Sequence, residues 1–365
     1  MVQSTPYSSQ PDRAFWRRAV SAPDWEAVDP VSGFPLKITR ETKIATAGSC
    51  FAQHIARHLA SAGFNYYVTE PGHPMLPEHI RRKYNYGLFS ARYGNIYTAA
   101  QLNQLLQRAF GDFFSVEKDW QLESGRWIDP FRPNVNENGF SSSKELLHDR
   151  EQHLAAVRDL FRNTEVFIFT LGLTEAWRSR KDGTVFPLCP GVKGGIFNEA
   201  QYEFVNYEFG EIVDQMEAFI KRVRSVSHAD CRFILTVSPV PLMATATDQH
   251  VLVATTLSKS ILRAAADHLQ RKLEGVYYFP SYEIITGAHT RGRYFGKDLR
   301  DVEDLGVQRV MNLFFKHVAG KEDYGIEGGA REPLELNDSH VETGMKLMTV
   351  LCDEELLDVA SATEI

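Results

Sequence analysis

Four short runs along the chain are rich in apolar residues without regular polar alternation: Lys43-Ile44-Ala45-Thr46-Ala47, Glu165-Val166-Phe167-Ile168-Phe169-Thr170-Leu171, Arg232-Phe233-Ile234-Leu235-Thr236-Val237-Ser238 and Gly275-Val276-Tyr277-Tyr278-Phe279. Their lengths suit strands, and Pro239 and Pro280 end the last two. A strand with one wet face alternates apolar and polar residues. A run without alternation predicts a strand covered on both faces, as in a parallel sheet between helices. Between these runs the apolar residues return with a helical period. Phe51, Ile55, Leu59 and Ala62 share one face, Leu147, Leu154, Val157 and Phe161 another, and Ser258 to Leu273 and Gly306 to Val318 read the same way. The pattern predicts an α/β chain in three layers, α/β/α.

Two stretches break the alternation. Residues 65–145 are rich in Tyr, Phe, Pro, Gly and Asn, and they separate the first two strands by far more than a crossover helix requires; residues 178–210 form a second irregular stretch around DGTVFPLCPGVKGG. Both read as insertions at the ends of parallel strands, where α/β folds place binding surfaces and lids. The expected organisation is an N-terminal extension (1–39), one domain (40–318) carrying both insertions, and a C-terminal extension (319–365) made of a loop and a short helix.

Composition narrows the function. The 365 residues suffice for a substantial core, and 43% hydrophobic with 24% charged residues is ordinary for a globular chain. A formal net charge of −7 without a Lys/Arg-rich run argues against nucleic acid or a membrane surface as partner. The N-terminus lacks the apolar core of a signal peptide, and no segment is long and apolar enough to span a bilayer, so a cytoplasmic location is expected. Cys50, Cys189, Cys231 and Cys352 lie far apart, with no CxxC pair. They are expected to be reduced, which leaves a reactive thiol open.

The chemistry concentrates in TKIATAGSCFAQHIARHL. Gly48 permits a tight bend after the first strand, and Cys50 stands where a helix begins. That position aims the thiol and the unsatisfied N–H groups of the first helical turn at one point, and the positive helix terminus favours thiolate. The alternative is a small buried hydrophobe.

AGSCFAQHIARHL resembles the signature of the GSCFA-domain family, which is related to the SGNH, or GDSL-type, hydrolase superfamily. The likeness continues through TLGLTEAW (170–177), TVSPVPL (236–242), HVLVATTLSKSILRAAA (250–266) and YFPSYEIITG (278–287). It implies a flavodoxin-like α/β/α fold with the nucleophile in the first block. Laying Gly48-Ser49-Cys50 on the superfamily's Gly-Asp-Ser puts Cys50 at the nucleophile, and a shift by one puts Ser49 there. A thiol at a helix N-terminus can be ionised beforehand, whereas a serine needs a base already in place, so the chemistry prefers Cys50.

The superfamily's Asp-x-x-His block falls on RGRYFGKDLRDVEDLG, with Asp298 in the first position and Asp301 where histidine is expected. That departure directs attention to His250, just after the third strand's TVSPVPL, as the acid and base, with His340 in reserve. His54, one turn along from Cys50, could stabilise a thiolate. Asp248 and Asp298 compete to orient the histidine. Oxyanion donors are expected from the Cys50 or Phe51 N–H and from Gly172-Leu173-Thr174, where Thr174 replaces the superfamily's asparagine, while Glu175 and Trp177 shape a pocket or serve as a helix-start carboxylate and a packed indole. The expectation is an esterase or acyltransferase acting on an acylated sugar or small metabolite, without cofactor or metal; the other class is a binding protein with a degenerate site. Oligomeric state is left open.

Overall fold

The computed structural model describes residues 5–320 together with Leu356 and Leu357. The described residues divide into two compact units, a larger one holding residues 39–278 and a smaller one built from residues 5–38 and 279–320.

In the larger unit, β1 (Ile44–Gly48) leads into α1 (Cys50–Ser61), followed by the short α2 (Glu78–Lys83) and by α3 (Ala99–Phe110). The pair β2 (Trp120–Gln121) and β3 (Trp127–Ile128) precedes α4 (Ser143–Asn163). Then come β4 (Val166–Leu171), β5 (Glu175–Ser179), β6 (Val185–Phe186), β7 (Tyr202–Asn206), α5 (Phe209–Val226), β8 (Arg232–Val237), α6 (Val251–Lys272) and β9 (Val276–Tyr278). The four apolar runs are the four strands of one sheet, ordered β1-β4-β8-β9 and parallel throughout. Every residue of β1 and β4 is buried, which is why neither run alternates. Helices flank the sheet in a three-layer arrangement. Phe161 of α4, Phe167 of β4, Phe219 of α5 and Phe233 of β8 stack within about 5 to 6 Å of one another on one face, and α1 and α6 contact β1 and β8. The register sets Gly48 beside Thr170 and Thr170 beside Thr236, so the C-terminal ends of three strands lie level.

The insertions are more regular than their composition suggests. Within 65–145, α3 buries Leu102, Leu105, Leu106 and Ala109 and is capped by the Thr98 hydroxyl, which accepts from Gln101 N–H at 3.2 Å. Its period is readable in AAQLNQLLQRAF but is framed by Gly- and Asn-rich sequence. The second insertion contributes to a three-stranded antiparallel sheet, β6-β5-β7. Glu175 therefore opens a strand and not a helix. Helix α6 also begins earlier than Ser258, because His250 caps it.

The smaller unit contains α7 (Ser281–Thr286) and α8 (Asp304–Phe314). The N-terminal residues are built into it rather than trailing as an extension. Trp25 packs on Tyr294 at 5.3 Å, Arg309 donates to the Val28 carbonyl at 2.9 Å, and Ile38 N–H bonds the Val318 carbonyl at 3.0 Å.

Candidate active site

Two glycines bring the site segments together. Gly48 has φ +148°, and a Cβ there would lie 2.6 Å from both Cβ and the carbonyl oxygen of Thr170. Only glycine lets β1 pass so close to β4 at its exit. At Gly172, just beyond β4, a Cβ would lie 3.0 Å from the Tyr97 carbonyl oxygen and 3.4 Å from Ser49 Cβ. A third segment, Asn95 to Thr98, ties these turns together. Ile96 N–H donates to the Gly48 carbonyl at 2.8 Å, and the Tyr97 carbonyl accepts from Gly172 N–H at 3.1 Å and Leu173 N–H at 2.9 Å. Gln101 clamps that segment, accepting from Tyr97 N–H and donating to the Asn95 carbonyl, both at 2.9 Å.

Ser49 occupies the N-cap of α1 and Cys50 the first helical position; both are buried. A serine at an N-cap ordinarily turns its hydroxyl back to accept from the first helical turn. Ser49 does not. Its Oγ is buried and has no hydrogen-bond partner, although its carbonyl accepts from Ala52 N–H at 2.9 Å. Phe51 is buried behind the turn, and the His54 ring lies against it at 6.0 Å. The Cys50 and Phe51 N–H groups precede Ala52 in the first turn of α1, whose N–H groups have no partner further back along the helix.

The Gly172 turn offers less to an oxyanion than its sequence suggests. Its N–H groups at Gly172 and Leu173 are held by Tyr97, and Thr174 N–H donates to Ser258 Oγ at 3.1 Å. Thr174 is fully buried and its hydroxyl donates to Asn206 Oδ1 at 2.6 Å. It supports the turn.

His250 is exposed, and its Nδ1 accepts from Leu252 N–H at 3.1 Å. A neutral imidazole has one lone pair, so in this arrangement the pair a base would use is spent on the cap. Asp248 is exposed as well. Asp298 belongs to the smaller unit, where its Oδ1 accepts from the N–H groups of Arg300 and Asp301 at 3.2 Å and closes its own turn. Asp301 is exposed. His340 and Cys352 lie outside the described residues.

One residue that the sequence analysis passes over stands at the centre. Lys259 is 1% exposed, and its Nζ donates to the Gly172 carbonyl at 2.7 Å. Together with Ser258 it interrupts the buried stripe Ala254, Leu262, Ala265, Leu269 of α6. A polar pair inside an apolar stripe was the available signal.

Beside the Gly172 turn opens a cavity of about 290 Å³, walled by Tyr97, Leu173, Trp177, Phe186, Phe204 and Leu242. Neither Ser49 nor Cys50 lines it. Its acidic group is Glu175, whose Oε1 accepts from the Thr245 hydroxyl at 2.8 Å; burial pushes this carboxyl above its ordinary value, against the opposing pull of Thr245 and the Ala246 N–H. Cys189 lines the cavity too, its thiol pushed up to about 12 by burial, and so unsuited to attack at neutral pH. Among the described residues, no group of three or more His, Cys, Asp or Glu side chains is placed to hold a metal ion, and no helix is long and apolar enough to cross a membrane.

The sequence profile of the GSCFA family matches residues 43–314, which span β1 to the end of α8. The chain belongs to the GSCFA family. No curated protein and no solved structure matches it. The GSCFA segment thus includes the turn of Gly48 to Phe51, Gly172, Lys259 and every residue lining the cavity except Leu357, but it begins after the N-terminal residues of the smaller unit.

Proposed function

We propose that this GSCFA protein is an acyl-transfer enzyme, an SGNH-like esterase or acyltransferase whose nucleophile stands on the Gly48-Ser49-Cys50 turn. It acts in the cytoplasm on an ester of a sugar or small metabolite. The observation that carries the reading is the Ser49-Cys50 pair itself. Two nucleophile-bearing residues sit at the N-terminus of α1, on the exit of a parallel strand, and the Ser49 hydroxyl is withheld from the cap it would ordinarily form. In the preferred form, the Cys50 thiolate adds to the ester carbonyl and expels the alcohol, leaving a thioester. Water or an acceptor hydroxyl then adds, and the sulfur leaves as thiolate. The developing oxyanion is met by the Cys50 and Phe51 N–H groups, the buried Lys259 ammonium adds positive charge beside the turn, and the cavity by Leu173 accommodates an acyl or aglycone group.

A second reading has its own support. The His250 lone pair is occupied and the Gly172 and Leu173 donors are engaged, which suits a protein that binds an acylated or glycan ligand without turning it over.

Mass-spectrometric labelling of native protein with iodoacetamide and with a fluorophosphonate, alongside p-nitrophenyl acetate hydrolysis, separates these readings. Modification of Cys50 at pH 7, with hydrolysis lost in Cys50→Ala and kept in Ser49→Ala, supports the thioester route. Fluorophosphonate on Ser49, with hydrolysis lost in Ser49→Ala, moves the nucleophile by one residue. An inert turn with no hydrolysis sinks the enzyme and leaves the binding protein.

A further inference from the structure

The insertion beneath α3 and α4 buries an ionic network of unusual density. Asp129, fully buried, pairs with Arg132 at 2.8 Å and Arg150 at 2.7 Å; Asp149 pairs with Arg92 at 2.9 Å and Arg132 at 2.7 Å; and His153 Nδ1 lies 2.6 Å from Glu70 Oε2. Four guanidiniums, those of Arg92, Arg108, Arg132 and Arg150, thus face three carboxylates. Arg108 is the one without an ion pair among the described residues. Its guanidinium lies 3.6 Å over the Phe131 ring, and burial, aided by the charges of Arg150 and Arg132 and against the pull of Asp129, lowers it to about 9.

Beside it lies a small, partly open pocket of about 10 Å³, room for one water-sized occupant. Its walls include Arg108, Arg132 and His153. Each of the three presents a buried nitrogen with no hydrogen-bond partner: Arg108 Nε, Arg132 Nη1 and His153 Nε2. Arg132 is 3% exposed and His153 1%. Three orphaned polar nitrogens on residues that line one small pocket, beside a guanidinium without an ion pair, are costly unless something occupies it.

We propose that this cavity binds a single monoatomic anion, a halide such as chloride, held by Arg108, Arg132 and His153. The small volume favours a monoatomic ion over sulfate or phosphate, and the unpaired guanidinium favours an anion over water. With Nδ1 turned to the Glu70 carboxylate, Nε2 becomes the third donor only when the ring is protonated; burial and the Arg132 charge lower this imidazole's pKa, the halide's charge works against them, and halide uptake therefore carries a proton with it. The charged groups around that ring are Glu70, Asp129, Arg132 and Arg150, with Arg108 across the cavity. The consequence for the rest of the molecule runs through Gln101, which lines both this cavity and the larger one and clamps Asn95 and Tyr97. The halide is a structural ion behind the segment that holds Gly48 and Gly172. The proposal stands whether or not the turn is catalytic.

Thermal melts of the full chain at pH 6.5 and constant ionic strength test it, with sodium gluconate replaced stepwise by sodium chloride or bromide. The expected result is a rise in Tm that grows with the logarithm of halide concentration and reaches about 3 °C at a hundredfold excess over Kd, absent in Arg108→Met. Crystals grown in bromide should give an anomalous peak bounded by the three nitrogens. An equal rise in wild type and Arg108→Met, no rise in either, or density without anomalous signal, which would be a buried water only, each overturns it. Because Arg108 makes no ion pair, its replacement leaves the Asp129 and Asp149 pairs in place, so the variant remains a folded control.

Discussion

Single side chains at the turn carry the sharpest tests. Lys259 Nζ donates to the carbonyl of Gly172, whose turn packs close to Ser49, and under the proposed function a positive charge there lowers the cost of negative charge at the nucleophile. Lys259→Met is expected to raise the pKa of the nucleophile by about one unit and to slow its labelling at pH 7 about tenfold. Labelling rates across pH 6 to 10 check this, and an unchanged midpoint would separate Lys259 from the chemistry. Glu175 behaves differently. Its folded pKa is raised, so its protonated form is favoured in the fold and its ionisation costs stability as the pH climbs through the folded value. Glu175→Gln should therefore raise Tm by about 2 °C at pH 8 and leave it unchanged at pH 4, below the unfolded value, in paired melts.

At the level of elements, β1 and β4 can meet only because Gly48 has no side chain. Gly48→Ala should cost about 2 to 4 kcal/mol, since the new methyl lands 2.6 Å from Thr170, whereas Gly63→Ala, also at positive φ but with nothing within 4 Å, should cost about 1 kcal/mol. Urea melts of both variants compare strain plus collision with strain alone. The strands of the parallel sheet were legible beforehand because burial on both faces writes itself into a run such as VFIFTL. The hairpins around Glu175 were not, because short antiparallel strands in Gly- and Pro-rich sequence share the composition of loops. The nucleophile turn was readable from local geometry, a glycine between strand and helix. Lys259 was not singled out, for its partner is the carbonyl of Gly172, far away in sequence, and spacing along α6 reveals only that a polar residue lies in an apolar stripe.

Across the whole molecule, the long first insertion is held by charge as much as by hydrocarbon. Asp129 is buried between Arg132 and Arg150, whose charges hold its carboxyl far below the ordinary carboxylate range despite burial. Asp129→Asn should destabilise the protein by about 3 to 5 kcal/mol, because it leaves the Arg150 guanidinium without its carboxylate and Arg132 with Asp149 alone. The same depression gives stability that is complete above the unfolded carboxylate value near 3.8 and is lost as the pH falls below it, so acid melts of wild type should steepen there and those of Asp129→Asn should not.

The carbonyl of Tyr97 serves two masters, Gly172 N–H and Leu173 N–H, and Tyr97 also walls the larger cavity. An incoming ligand oxygen can claim those two donors only by evicting the carbonyl that already fills the place. The resting protein is thus stoppered by its own backbone, and any guest reaching for both donors must first draw the stopper and shift the strip of chain that Gln101 braces.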